Sequence, residues 1–324
     1  MNIFGEYADY LQKLSKEKLQ SIIDDYNKLG SIYNLDVVNT KKLKKDDLIK
    51  KIDELKNDYF KYWIMSLDLK DFNILKQLVF RKVNDEFLHE NRDFINLLLE
   101  KSILFQEQEL MMAWDVSALI KELTKNKEVV KTVKIWDRIY KIVEGIIVAY
   151  GVISRKYFDK IVSEIENNEL ILPKLDYYYK RDYIIDDKKI MSNKLNNKKR
   201  INSYLKNDKY KMFTNKEFGE LGSSIYHHGI KCYKRFIKML KNNYVFRNSD
   251  IEFVDKNIVI PYLYNSLNEE DVAKKNLEET IEKLFEFKGD KLKQKMLEEV
   301  MKIRDEFPLW EYRGFSKIEV NLDE

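Results

Sequence analysis

The chain has 324 residues, with 59 basic against 55 acidic side chains (formal net charge +4), 44% hydrophobic and 13% aromatic residues. That supply of apolar side chains excludes a largely disordered protein and suffices for two or three packed domains. A single cysteine, Cys232, excludes an internal disulfide, the N-terminus lacks signal-peptide character, and the longest apolar run, Gly145 to Ile153, is about half of a bilayer crossing; the expectation is a soluble cytoplasmic protein without membrane contact.

Only 9 Gly and 3 Pro occur, and both residue types interrupt helices. The chain is therefore expected to be mostly α with small β-hairpins. Tyr10, Leu11, Leu14, Leu19, Ile22, Ile23, Tyr26 and Leu29 recur at helical spacing over residues 7–30, with Ser15 as an N-cap and Gly30 as a C-cap. Leu43, Leu48, Ile49, Ile52 and Leu55 give the next helix one apolar stripe. Residues 41–56 carry seven Lys, among them Lys44 and Lys45, against four acids.

The middle of the chain shows one order of elements twice. In residues 59–125, a helix around Leu67–Phe80 and another around Asn91–Lys101 precede two short apolar runs, Ser102–Phe105 and Leu110–Trp114, around a polar turn. In residues 126–192, a helix over Val129–Tyr150 is stopped by Gly151, and Ser154 caps a second helix through about Asn167. After Leu170–Pro173 and Tyr177–Tyr179 comes a hairpin with Asp186-Asp187 at its turn. Helix, turn, helix, hairpin is the order of a winged helix, so one or two such units are predicted. Residues 193–212 form a polar, basic connector. Residues 213–324 carry a cap at Thr214, helical periodicity over about 225–242, 249–264, 269–286 and 290–306, and an aromatic tail, the pattern of a helical bundle.

Two resemblances add to this pattern. Leu14-Ser15-Lys16-Glu17-Lys18-Leu19, Leu29-Gly30 and Leu43-Lys44-Lys45-Asp46-Asp47-Leu48-Ile49 resemble the SAP and Rho N-terminal helix–extended-loop–helix modules over residues 14–52, within an N-terminal module of 1–58. The stretch Ser31–Thr40 between the helices is longer than that pattern. The resemblance implies nucleic-acid contact through lysines and helix N-termini. The tail Pro308-Leu309-Trp310-Glu311-Tyr312-Arg313-Gly314-Phe315-Ser316 is similar to the ending of helical proteins from low-GC Gram-positive bacteria and their mobile elements. It implies no activity.

Charge patterning supplies the candidate site residues. Residues 180–211 hold eleven basic residues against four acids, beside three tyrosines. Candidate phosphate contacts are Lys44, Lys45, Arg155, Lys156, Lys180, Arg181, Lys188, Lys189, Lys198, Lys199 and Arg200. Lys231, Lys234, Arg235, Lys238 and Lys241 share one helix face, and no acid interrupts residues 231–248. That face suits an acidic protein partner, or ion pairs with the acid-rich residues 269–324. No nucleophile elbow, phosphate loop or dinucleotide fingerprint occurs. His227-His228 with Cys232 falls short of a zinc ligand set and reads as a cap or a surface feature, so no metal and no cofactor are expected. The function expected is non-enzymatic regulation through DNA or RNA, and the alternative is a mobile-element adaptor that docks on a host protein.

Overall fold

Side chains that repeat every three or four residues build most of the chain into helices. The computed structural model of the protein describes all residues but 1, 4, 82, 166–167, 179–182, 196–200, 202, 204–208, 268, 288 and 322–324, and the side chains of 2, 168, 169 and 178. Two compact units are formed, Met1–Arg138 with Glu169–Tyr179, and Ile139–Asn168 with Lys180–Glu324. This division differs from the five segments expected from sequence: the 193–212 stretch marks no boundary between units, and the long helix predicted at 129–150 is shared between both.

Unit 1 opens with β1 (Asn2–Ile3), α1 (Tyr7–Gln12), α2 (Lys16–Tyr33) and α3 (Lys45–Ile64). Ser15 caps α2, its Oγ accepting from the Lys18 N–H at 3.2 Å. The expected stop at Gly30 is displaced. The helix runs on to Tyr33, where Asn34 takes the left-handed turn (φ 56°) and the Leu35 N–H returns to the Gly30 carbonyl at 2.9 Å. Asparagine tolerates that conformation at small penalty. Leu19, Ile22, Ile23, Tyr26 and Leu29 form the buried face of α2, and Leu48, Ile49, Ile52 and Tyr59 that of α3. The intervening loop is pinned by Asn27, whose amide donates to the Val38 carbonyl at 2.9 Å and accepts from the Val38 N–H at 2.8 Å.

Next come α4 (Leu69–Phe80), α5 (Asp85–Glu90), α6 (Arg92–Glu100), β2 (Phe105–Gln106), β3 (Leu110–Met112) and α7 (Trp114–Leu123). The sheet order is β1-β3-β2, with β2 antiparallel and β1 parallel to β3. The predicted hairpin forms, but Trp114 leaves it to begin α7. Its N–H donates to the Gly5 carbonyl at 3.0 Å, and Asp115 accepts from the Tyr7 N–H at 2.9 Å. The start of α8 (Lys127–Tyr150) and α10 (Asn168–Tyr178) complete the unit. Asp25, half-buried, ties three elements of the unit together: one carboxylate oxygen accepts from Tyr59 Oη (2.8 Å), Lys101 Nζ (2.6 Å) and Tyr177 Oη (2.9 Å).

In unit 2, Gly151 ends α8 at φ +67°. β4 (Val152–Ser154) follows, then α9 (Arg155–Val162), β5 (Tyr183–Ile185) and β6 (Lys189–Ser192), in sheet order β4-β6-β5, all antiparallel. Ser154 caps α9 as expected, accepting from the Tyr157 N–H at 3.3 Å. Asp186 makes the hairpin turn by accepting from the Lys188 and Lys189 N–H groups, both at 2.8 Å. Residues Leu170–Pro173, assigned no element from sequence, lie inside α10 with Pro173 in its interior. α11 (Asn215–Gly222), α12 (Lys231–Asn243), α13 (Asp250–Val254), a π-turn (Asp255–Val259), α14 (Ile260–Ser266), α15 (Glu270–Leu284), α16 (Asp290–Asp305) and α17 (Lys317–Asn321) finish the chain. Thr214 caps α11 in a capping box with Glu217. The tail folds back: Trp310 is buried and its Nε1–H donates to the Val148 carbonyl at 2.9 Å. Among the described residues, no helix is long and apolar enough to cross a membrane.

Helices α8 and α11 meet backbone to backbone through two glycines. A Cβ at Gly145 would stand 1.8 Å from the Phe218 carbonyl oxygen, and one at Gly222 would stand 1.9 Å from that of Lys141. Neither helix can yield without moving its own main chain. Gly145→Ala is therefore expected to destabilise unit 2 by about 3 kcal/mol, read as a lower denaturant midpoint; an unchanged midpoint would show that the two helices separate freely.

Candidate nucleic-acid interface

The sequence-derived cations divide by what surrounds them. Lys44 is exposed at the N-terminus of α3, where its backbone N–H donates to Asp47 at 3.1 Å. Lys45 is tied down, its Nζ donating to the Gln12 carbonyl at 2.7 Å. Arg155 forms an i,i+4 ion pair with Asp159 at 2.9 Å, and Lys189 lies 3.7 Å from Asp186. Lys156 and Lys188 are exposed and have no ion pair among the described residues. Lys180, Arg181, Lys198, Lys199 and Arg200 lie outside the described residues. On α12, Lys231, Lys234 and Lys238 are exposed, and among the described residues no ion pair engages them. Arg235 bonds Glu299 at 2.9 Å, one of the acids expected from the C-terminal part, and Lys241 donates to Asn248 at 3.0 Å.

A basic surface that sequence reasoning missed lies on the first half of α8. Val129, Val133 and Trp136 point into unit 1, at 0%, 1% and 4% exposure. At about 100° per residue this setting turns residues 127, 131, 134 and 138 to a common outward arc roughly 60° wide. Lys125, Lys127, Lys131, Lys134 and Arg138, with Val130 and Ile135, line an open groove of about 570 Å³ that contains no acid. The two acids of this segment face elsewhere and are engaged: Glu128 pairs with Lys61 at 3.7 Å, and Asp137 accepts from the Leu69 N–H at 3.2 Å, at the start of α4. Among the described residues, Lys127, Lys131 and Lys134 have no ion pair, and Lys125 rests over the Phe80 ring at 5.1 Å. Lys127, Lys131 and Lys134 over an apolar floor, in a groove that no carboxylate lines, attract a polyanion by charge and keep hydrogen-bond donors for its oxygens. The signal was present in the sequence as cations at steps of four, three and four. It is masked by the stronger apolar stripe of the same helix.

No family model, no curated protein and no solved structure matches the chain.

Helix α10, by contrast, presents its cation inward. Lys174 is 0% exposed, and its Nζ has no hydrogen-bond partner among the described residues. It stands 3.8 Å from the Trp136 ring centre and 4.7 Å from that of Tyr33. Burial pushes the Lys174 ammonium down to about 6, whereas the two π faces favour the charged form and oppose that shift. Between pH 6 and 10.5 the unfolded chain holds a proton that the folded chain lacks, so stability rises with pH across that window. Lys174→Met removes the penalty and is expected to stabilise the protein by about 1–4 kcal/mol at pH 7. The gain should be larger at pH 6 and shrink towards pH 10, as measured by denaturant unfolding; a destabilised variant at every pH would show that the aromatic faces outweigh desolvation.

Proposed function

We propose that this protein is a non-enzymatic, cytoplasmic regulatory protein that binds nucleic acid, DNA or RNA, through its phosphates. The observation that carries this reading is the acid-free groove of Lys125, Lys127, Lys131, Lys134 and Arg138 on α8. Phosphate contact of this kind is strong, insensitive to sequence and weakened by salt, because each neutralised phosphate releases counterions. Two further features support it. The helix–loop–helix order of α2 and α3, with the loop pinned by Asn27, supports the SAP-like reading, and Lys44 is exposed at an N-terminus that favours anions. Within unit 2, the end of α8, β4, α9, β5 and β6 run helix, strand, helix, strand, strand with sheet order β4-β6-β5, an order that supports the winged-helix reading of residues 126–192. The burial of Lys174 within α10 removes one cation from that helix's outer face, so the groove on α8 is assigned the main contact.

A second reading is favoured by α12, where Lys231, Lys234 and Lys238 stay exposed beside a neutralised Arg235. This face suits an acidic protein surface, in the manner of a mobile-element adaptor.

Charge reversal separates the two. Lys127→Glu/Lys131→Glu/Lys134→Glu is expected to weaken binding to duplex or single-stranded probes by at least about tenfold and to reduce the slope of log K against log salt by about 3. Lys231→Glu/Lys234→Glu/Lys238→Glu should leave both unchanged in fluorescence anisotropy and abolish capture of any acidic partner. Wild-type affinity that ignores salt, or a groove variant that binds like wild type, would remove the nucleic-acid reading.

A further inference from the structure

Far along the chain from the groove, unit 2 carries a cluster that no charge argument anticipates. Asp255 is the first residue of the π-turn that interrupts α13 and α14, and it is 7% exposed. Single π-turns within helices often mark functional positions, because they re-aim one side chain. Here the turn aims the Asp255 carboxylate at a 3₁₀ turn, Tyr226–Gly229. His227 Nε2 stands 3.1 Å from Oδ1 and His228 Nε2 2.6 Å from Oδ2, while Tyr233 Oη donates to Oδ1 at 2.8 Å. The expected cap or surface role of the histidine pair is thus corrected. His227 is 1% exposed, and both rings converge on a residue 28 and 27 positions away in sequence. Cys232, the neighbour weighed from sequence, faces Glu306 and Arg235 instead.

We propose that His227 Nε2, His228 Nε2 and a carboxylate oxygen of Asp255 form a binding site for one first-row divalent cation, with Zn²⁺ as the ion of best fit. The three donor atoms lie within 4.8 Å of one another. A tetrahedral set with bonds of about 2.1 Å needs roughly 3.4 Å between donors. The adjustment falls to His228, whose side chain is 41% exposed and stacks on the Tyr233 ring, along which it can slide. Two imidazoles and one carboxylate are a borderline nitrogen-rich set, suited to Zn²⁺ and its neighbours rather than to Mg²⁺ or Ca²⁺, which take oxygen ligands. Tyr233 is an orienting group and not a ligand. Its Oη donates to Oδ1 of Asp255 and fixes the rotation of that carboxylate. Three protein ligands leave one coordination position, on the solvent side beside His228. The bound ion would tie the 3₁₀ turn to the π-turn, a role separate from the basic groove.

The test uses the full-length protein after chelator treatment, titrated with Zn²⁺ by calorimetry and with Co²⁺ by visible absorption. One equivalent of Zn²⁺ per chain is expected, with the intense visible bands of four-coordinate Co²⁺ and a Tm raised by about 5 °C at saturation. His228→Ala, at the exposed rim, should fold normally and lose at least about tenfold in Zn²⁺ affinity; Asp255→Asn should lose binding altogether, and if it does not fold, His228→Ala decides alone. No stoichiometric uptake, uptake undiminished in His228→Ala, or a preference for Mg²⁺ would each overturn the proposal and leave a purely hydrogen-bonded cluster.

Discussion

The rotational setting of α8 is the constraint on which the rest of the molecule depends. Along its first half, Val129, Val133 and Trp136 are buried in unit 1; along its second half, Ile139, Val143 and Ile146 are buried in unit 2. Each of these side chains contributes about 1.5–3 kcal/mol when taken out of water, so a rotation about the helix axis is prohibitive. The outward direction of Lys127, Lys131 and Lys134 is a by-product of that burial. Glu128 and Asp137 strengthen the effect. Asp137 is held where it caps another helix, and Glu128 is drawn towards Lys61, so the fold itself removes carboxylates from the cationic face.

Polar chemistry inside the two units follows one rule, with one exception. In unit 1, Asp25 gathers three donors on one carboxylate oxygen, from α3, α10 and the residue after α6. In unit 2, Asp255 gathers two imidazoles and a phenol, and hydrogen bonding to the carboxylate overcomes burial and holds its acidity below the usual carboxylate range. Lys174 is the exception. Among the described residues no carboxylate or carbonyl meets its ammonium, only aromatic faces. Its stem fills space among large rings as a hydrophobe would, and its head tolerates that place by giving up its proton or by resting on π electrons.

Local signals in the sequence translated well into structure. Ser15, Ser154 and Thr214 cap the helices their positions predict, Gly151 ends α8, and Asp186 turns the second hairpin. What local signals could not carry was long-range pairing. β1 and β4 are too short to read by alternation and exist because β3 and β6 offer them edges. Pro173 concealed α10, since proline usually ends helices. The histidine pair was legible as chemistry but not as a site, because its third member lies 27 residues beyond His228 and is aimed by a π-turn that no periodicity announces. The α8 groove is written in the sequence as a cation period, overlaid by the stronger hydrophobic period of the same helix.

The order in which the chain visits its two units has a consequence for biosynthesis. Unit 1 is closed by Glu169–Tyr179, after the polypeptide has already entered unit 2 at Ile139. Until Tyr177 leaves the ribosome, Asp25 and Lys101 lack one of their partners, so this cluster of hydrogen bonds is completed only after the chain has begun the second unit. A protein expressed as two consecutive fragments, cut at residue 138, would strand α10 with the wrong half. Only co-expression that lets the pieces reassociate would restore both, which makes the gene indivisible at the very place where its product is most nearly two bodies.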